Sequence, residues 1–438
     1  MLRHPGVTLA LAVIFLAGCG TSAKLALNQD MGPAPVLPKP QKSLIPVIKV
    51  ADTIGWQGGA KPVAAADLAV SAFAIGLDHP RWMTVLPNGD VLVAETNGPV
   101  RPKDATGIRG YFFKMFQKKA GAAAPSANRV SLLRDTDGDG VAETRSIFLE
   151  NLNSPFGMAL AGETLYVATT DAVLAFPYRT GDLAIRVPGR KIADLPAGEI
   201  NHHWTKNLVV AADGTALFVA VGSNSNVGEN GLAAEEGRAS IWQIDPRTGA
   251  HSELATGLRN PVGMAFEPVT GALWTSVNER DELGSDLVPD YITSVKRGGF
   301  YGWPFSYYGA TIDERIPKTL RRPDLVARAI KPDYALGAHT ASLGLAFAAG
   351  SKLGKPFSDG AFVGQHGSWN RKPLSGYKVI FVPFAQGRPT GLPIDVLTGF
   401  IDARGKAQGR PVGVAVDKAG GLLVADDVGN VIWRVTAR

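Results

Sequence analysis

Four short stretches decide how this chain folds: His79-Pro80-Arg81-Trp82-Met83, Ser154-Pro155-Phe156-Gly157-Met158, Asn260-Pro261-Val262-Gly263-Met264 and Arg410-Pro411-Val412-Gly413-Val414. Each starts with a polar residue and a proline, then runs through a short apolar strand, a polar turn and a second apolar strand. Pro87-Asn88-Gly89-Asp90 before Val91-Leu92-Val93-Ala94 shows the turn, as does Lys418-Ala419-Gly420-Gly421 before Leu422-Leu423-Val424-Ala425. Two degenerate copies, Thr205-Lys206-Asn207-Leu208-Val209-Val210 and Ser342-Leu343-Gly344-Leu345-Ala346-Phe347, complete a set of six. With Pro80, Pro155, Thr205, Pro261, Ser342 and Pro411 as equivalent positions, the spacings are 75, 50, 56, 81 and 69 residues. Repeats of that size built from short strands are propeller blades. Helical periodicity is almost absent, so the sequence predicts an all-β, six-bladed β-propeller over residues 61–438.

Composition agrees. The 438 residues include 51 Gly and 30 Pro, with 45% hydrophobic and 19% charged, which excludes a disordered chain and suits many tight turns. The length could hold two or three domains, but propellers exceed that prior as one unit. A net charge of +6 would permit nucleic acid as a partner. No Lys/Arg stripe interleaved with aromatics accompanies it, which argues against one. The single Cys excludes a disulfide framework and any cysteine-rich metal site.

Residues 1–18 read as a lipoprotein signal peptide. A basic start (Arg3, His4) precedes an apolar run from Val7 to Leu16, too short to span a bilayer. The run closes on Leu16-Ala17-Gly18-Cys19, a lipobox pattern, and the chain's one Cys falling there favours lipidation of Cys19 over an ordinary cleaved signal. Gly20 replaces the Asp that retains lipoproteins in the inner membrane, so the expected place is the periplasm-facing side of the outer membrane. Residues 19–60, with prolines at 33, 35, 38, 40 and 46, read as a tether. A loop in blade 1, Arg101 to Arg129, holds seven Lys/Arg against one acidic residue, with Tyr111, Phe112, Phe113 and Phe116 among them.

In a propeller the innermost strands line a central channel, and the residues just before them sit at one rim. Here these are Asp78 and His79, Asn153 and Ser154, His203 and Trp204, Arg259 and Asn260, Thr340 after His339, and Gly409 and Arg410. Solvated loops need no His or Arg at one repeat position, whereas a multiply anionic planar ligand does, since Arg pairs bidentately with carboxylates.

These residues lie in five motifs in order: His202-His203-Trp204-Thr205, Gly257-Leu258-Arg259-Asn260-Pro261, Asn278-Glu279-Arg280-Asp281-Glu282-Leu283-Gly284, Gly298-Gly299-Phe300-Tyr301-Gly302-Trp303-Pro304 and Gly364-Gln365-His366-Gly367-Ser368-Trp369-Asn370-Arg371. From about Ile75 to Arg434 the chain resembles the sorbosone/glucose dehydrogenase family of pyrroloquinoline quinone (PQQ) enzymes, in particular its L-sorbosone and pyranose dehydrogenase-like branch. The resemblance implies PQQ lying flat over the channel mouth and a Ca²⁺ bridging it to the protein. It implies His203 as the general base on a sugar hydroxyl and Arg259 as the contact to the quinone oxygen. Asn260, Asn153 and His202 join the cofactor set, and Arg410, with Arg371 or Lys372, would pair with the PQQ carboxylates. One departure matters: soluble glucose dehydrogenases follow the His with an Ile-Gly-Asp strand, and here it is Val221-Gly222-Ser223. A Ser accepts the ring N–H but adds no charge, which points to the sorbosone-like branch.

For the metal, the loop from Asn278 to Asp290 supplies hard oxygens suited to Ca²⁺, with Glu279, Arg280 (through its main chain), Asp281 and Asp286 as the expected site. Asp135-Thr136-Asp137-Gly138-Asp139-Gly140 imitates half an EF-hand, but position 12 is Ser146; it reads as a β-turn, with a weak structural Ca²⁺ as the alternative, and not as the catalytic metal site. The leading expectation is PQQ- and Ca²⁺-dependent oxidation of an aldose or sugar aldehyde, with electrons passing to an external cytochrome or quinone. A Ca²⁺-dependent propeller lactonase and a non-catalytic lipoprotein scaffold are the alternatives.

Overall fold

The computed structural model describes residues 22–41, 47–99 and 124–438, with Met115, Lys119 and Gly121 between them. The signal segment, Cys19 and most of the 101–129 loop lie outside the described residues.

Six antiparallel blades surround a central channel. Their inner strands are Pro80–Val85, Met158–Ala161, Leu208–Val210, Pro261–Phe266, Ser342–Phe347 and Pro411–Val416, one for each repeat. Blade 6 takes its outermost strand from the other end of the propeller domain. Leu68–Ile75 pairs with Val431–Ala437 and so closes the ring.

The repeat's glycine explains how neighbouring inner strands come so close. A Cβ on Gly263 would lie 2.6 Å from the Leu343 carbonyl of the next blade, and one on Gly413 2.8 Å from that of Arg81. Cβ atoms on Gly157 and Gly344 would strike the backbone of Leu208 and Val412. Any larger residue would push the blades apart. Between the blades, apolar faces interlock, as where Trp274, Phe347 and Phe384 meet edge to face between blades 4 and 5.

The expectation of a tether over 19–60 needs correction for its described parts. Met31–Gly32 adds a strand to the outer edge of blade 4, pairing with Ala335 and Leu336. Asp30 is buried and accepts the Ala338 N–H at 2.8 Å. Further along, Trp56 Nε1 donates to Asp426 Oδ2 at 2.7 Å. Proline excluded helix here as expected, but extended chain can lie on a surface as readily as swing free of it.

Candidate active site

The channel mouth has two poles. The first is built where blades 3 and 4 meet. His203 Nδ1 lies 2.7 Å from the Ser223 carbonyl oxygen and 3.1 Å from its Oγ, while that hydroxyl donates to the Ser225 carbonyl at 2.7 Å. With the Ser223 proton committed elsewhere, both atoms facing Nδ1 are acceptors. The hydrogen therefore sits on Nδ1 and the lone pair on Nε2, the tautomer a proton acceptor needs. Sequence reasoning expected the hydroxyl to hold the ring; the nearer partner is the main-chain carbonyl. A Cβ on Gly222 would lie 2.5 Å from His203 Cβ and would also strike Asn260 Oδ1, so Gly222 is what lets His203 and Asn260 stand side by side.

Arg259 is buried and clamped. Its Nη1 donates to the Glu279 carbonyl at 2.7 Å, its Nη2 to Asn226 Oδ1 at 3.0 Å, and Nη2 pairs with Asp281 Oδ2 at 3.3 Å. The other Asp281 oxygen accepts from Asn370 Nδ2 at 2.8 Å and lies 3.4 Å from His339 Nδ1. Burial alone would raise the Asp281 carboxyl, yet His339, Arg259 and Asn370 together hold it down at about 2. It stays an anion that fixes Arg259 in place. Beneath the His203 loop, the fully buried Lys206 donates to the carbonyls of His203 and Trp204. Burial drives its pKa well below the ordinary lysine value.

The second pole lies where blades 5, 6 and 1 meet. Asp427 accepts from Arg81 Nη1 at 2.7 Å and from His366 Nε2 at 2.9 Å, with His79 Nε2 at 3.5 Å. Burial works against the Asp427 charge, but His366, His79 and Arg81 hold its carboxyl below the ordinary range. Burial, aided by Arg410 and Arg81, lowers His366 to about 4 in spite of Asp427. Arg410 donates from Nη2 to the Tyr377 hydroxyl at 2.9 Å and lies 5.0 Å from the centre of that ring. His79, Asp427 and Arg129 help line a cavity of about 560 Å³ beside this pole.

The remaining expected site residues are placed as follows. Arg371 Nε donates to the Ser285 carbonyl at 2.9 Å, so Arg371 and Lys372 sit against the 279–290 loop rather than beside Arg410. Asn153 is exposed at the rim and donates to Asp171 at 2.8 Å. His202 is half-buried beside His203. Among the described residues, the carboxylates of the expected metal site do not converge on one point. Glu279 and Asp313 neutralise the wholly buried Arg280 guanidinium at 3.0 and 3.1 Å, so its side chain is a structural cation. Asp281 is spent on Arg259, and Asp286 accepts the Lys24 N–H at 2.7 Å. Among the described residues, the acidic side chains that do converge are Asp135, Asp137, Asp139 and Glu143, on a turn of blade 1 at the face opposite the mouth. Glu143 joins them at position 9 counted from Asp135 and accepts from the Thr136 N–H at 2.7 Å.

Several buried polar atoms around the mouth have no partner among the described residues: Asn260 Oδ1, Arg410 Nε, Asn370 Oδ1, Glu279 Oε1 and Arg81 Nε. Buried polar groups are ordinarily satisfied, so these five are candidates to meet a ligand. The two orphan donors, Arg410 Nε and Arg81 Nε, fit the carboxylate and carbonyl oxygens of an anion such as PQQ, whereas the three orphan oxygens call for a donor.

This chain belongs to the TrAA12-like family, which it matches over residues 126–292 and 324–438. It is 44% identical over 222 residues to the pyrroloquinoline quinone-dependent pyranose dehydrogenase of Coprinopsis cinerea, covering 42% of this chain and 30% of that protein. It is 22% identical over 306 residues to the pyrroloquinoline quinone-dependent sugar dehydrogenase of Hypocrea jecorina, covering 64% of each. Among solved structures, the Trichoderma reesei family AA12 enzyme superposes with a TM-score of 0.68 at 19% identity, over 86% of this chain and 98% of that one. The PQQ domain of the Coprinopsis cinerea pyranose dehydrogenase gives 0.67 at 20%, over 88% and 100%.

Proposed function

We propose that this protein is a PQQ-dependent dehydrogenase that oxidises an aldose or sugar aldehyde at C1. The observation that carries the reading is the fixed tautomer of His203 beside Asn260 and the clamped Arg259. The names of the Coprinopsis and Hypocrea relatives support it. PQQ, when bound, supplies the acceptor for the two electrons that leave C1 as hydride. The chain's own residues do the rest. Nε2 of His203 takes the hydroxyl proton, and the Ser223 carbonyl holds the ring as it becomes charged. Arg259, kept in aim by Asp281, offers positive charge where negative charge develops. Arg410 would pair with a cofactor carboxylate. Ser223 in place of an aspartate favours a sorbosone-like substrate over glucose. Calcium enters from the family resemblance alone, and the carboxylates of the 279–290 loop do not converge on a site for it. In this reading Cys19 carries the lipid anchor facing the periplasm, and electrons pass to an external cytochrome or quinone.

Dye reduction by purified protein given PQQ and Ca²⁺, over a panel of aldoses and sugar aldehydes, tests the reading. Lactone hydrolysis is assayed in parallel. PQQ-dependent dye reduction is expected. Lactone hydrolysis without PQQ would replace the reading with the hydrolase, and silence in both assays with a scaffold.

A further inference from the structure

We propose that the channel mouth faces a lipid surface, held against it by a leash of four residues. The inference rests on the lipid-anchor reading of Cys19, and three observations carry it beyond that reading.

The first is where the chain becomes attached. The Ala23 N–H donates to the Lys372 carbonyl at 2.7 Å, and the Lys24 N–H to Asp286 Oδ2 at 2.7 Å. Both acceptors belong to the rim. Lys372 follows two residues after Asn370, whose amide holds the Asp281 that clamps Arg259. Four residues of fully extended chain reach about 14 Å at most. A six-residue inner strand such as Pro261–Phe266 is itself roughly 20 Å long. An anchor at Cys19 therefore reaches the mouth but not the opposite face.

Secondly, the leash does not lengthen by peeling away. After Ala23 the described parts of the chain are tied again and again to the mouth end of the propeller. The Gln41 N–H donates to the Leu283 carbonyl at 3.0 Å, Lys49 to Trp369 at 2.8 Å and Ile54 to Ala407 at 2.8 Å. These bonds tie it in turn to the 279–290 loop, the loop after blade 5's second strand and the approach to blade 6.

The third observation is apolar exposure along that course. Leu27 is 89% exposed, Trp369 42% and Ile48 40%. Tryptophan is the side chain that favours the lipid–water interface.

With the mouth so placed, sugar enters between rim and headgroups, and electrons leave toward a carrier in or on the membrane.

The test uses full-length acylated protein in vesicles of phosphatidylethanolamine and phosphatidylglycerol containing a headgroup-spin-labelled lipid. Single thiols are introduced as Leu27→Cys, in the segment after Ala23, and Val269→Cys, on a turn at the opposite face that is 74% exposed. Each carries the same fluorophore. The acylated Cys19 has no free thiol to compete for the label. The Leu27 label should be quenched at least threefold more than the Val269 label. Equal quenching, stronger quenching at Val269, or a mature chain whose Cys19 mass shows no acyl group overturns the proposal. Neither PQQ nor sugar is needed, so a failure here leaves the dehydrogenase reading standing.

Discussion

The two poles of the mouth use the same residue types to opposite ends. At the blade 3–4 pole, one histidine meets only neutral acceptors at Nδ1, and the neighbouring arginine has a carboxylate of its own in Asp281. At the pole between blades 5, 6 and 1, two histidines and Arg81 crowd a single carboxylate, Asp427, and His366 is held at about 4. A histidine whose Nδ1 faces neutral acceptors does not share its proton with a neighbouring carboxylate. One that shares a carboxylate with Arg81, and has Arg410 close by, meets added positive charge when it takes up a proton. The contrast is why the proposed function puts proton transfer at His203 and anion binding at the other pole.

The largest effect expected from breaking this comparison is on turnover. His203→Ala should lower kcat by about 10²–10⁴-fold, the range for loss of a placed base, with PQQ affinity within a few-fold of wild type. His202→Ala should be milder, and His366→Asn should alter affinity more than kcat. If His366→Asn costs as much turnover as His203→Ala, the assignment of poles is reversed.

Next in size are the arginines. Lys keeps the charge but loses the planar fork. Arg259→Lys should lower turnover by about 10²-fold and weaken PQQ as well, because its charge is used where the reaction develops negative charge. Arg410→Lys should mainly weaken PQQ, since a carboxylate contact is the same before and during hydride transfer. Affinity and saturated turnover measured for both variants separate the two roles. Equal effects on both parameters at both positions would show that the cofactor pose is wrong.

Smaller still is Ser223→Ala. The main-chain carbonyl already holds Nδ1, so turnover should fall less than about tenfold, which steady-state kinetics will show. A loss as deep as that of His203→Ala would mean that the hydroxyl, not the carbonyl, orients the ring.

The least effect is on stability against pH. The folded pKa of His366 lies below the ordinary 6.5, so the unfolded chain binds its proton more readily. Its contribution to stability is complete above about 6.5 and is lost as pH falls toward about 4, by about 3 kcal/mol at most. Denaturant unfolding at pH 7 and pH 4.5 should show a smaller drop for His366→Asn than for wild type. An unchanged drop would remove His366 from the acid response.

The blades are legible in the sequence because each repeat states its own solution: a proline to start the inner strand, a glycine where the neighbouring strand closes in, and a polar turn. Rim residues follow from that phase, which is why His203, Arg259, Asn260 and Arg410 are found together at the mouth. The supports of those residues are not legible in the same way. Asp281, His339 and Asn370 meet only because the ring brings blades 4 and 5 side by side, and no local spacing encodes that meeting. The same holds for Asp427 with His366 and Arg81, although His366 stands inside one of the quoted motifs. The acidic loop is ambiguous for a physical reason, since carboxylates that neutralise buried arginines look in sequence like carboxylates that await a metal. Residues 22–41 mislead because a proline-rich strand with no periodicity reads alike whether it swings free or lies along a rim.

The central claim is that the mouth binds PQQ and that His203 stands ready beside it. It is tested most directly by titrating the purified chain with PQQ, following the quinone absorbance, and then adding an aldose anaerobically to the loaded protein. The account predicts saturation at one PQQ per chain and bleaching of the quinone band on addition of a sugar the enzyme oxidises. A chain that fails to bind PQQ, or one that binds it and leaves it oxidised with every aldose and sugar aldehyde, contradicts the account.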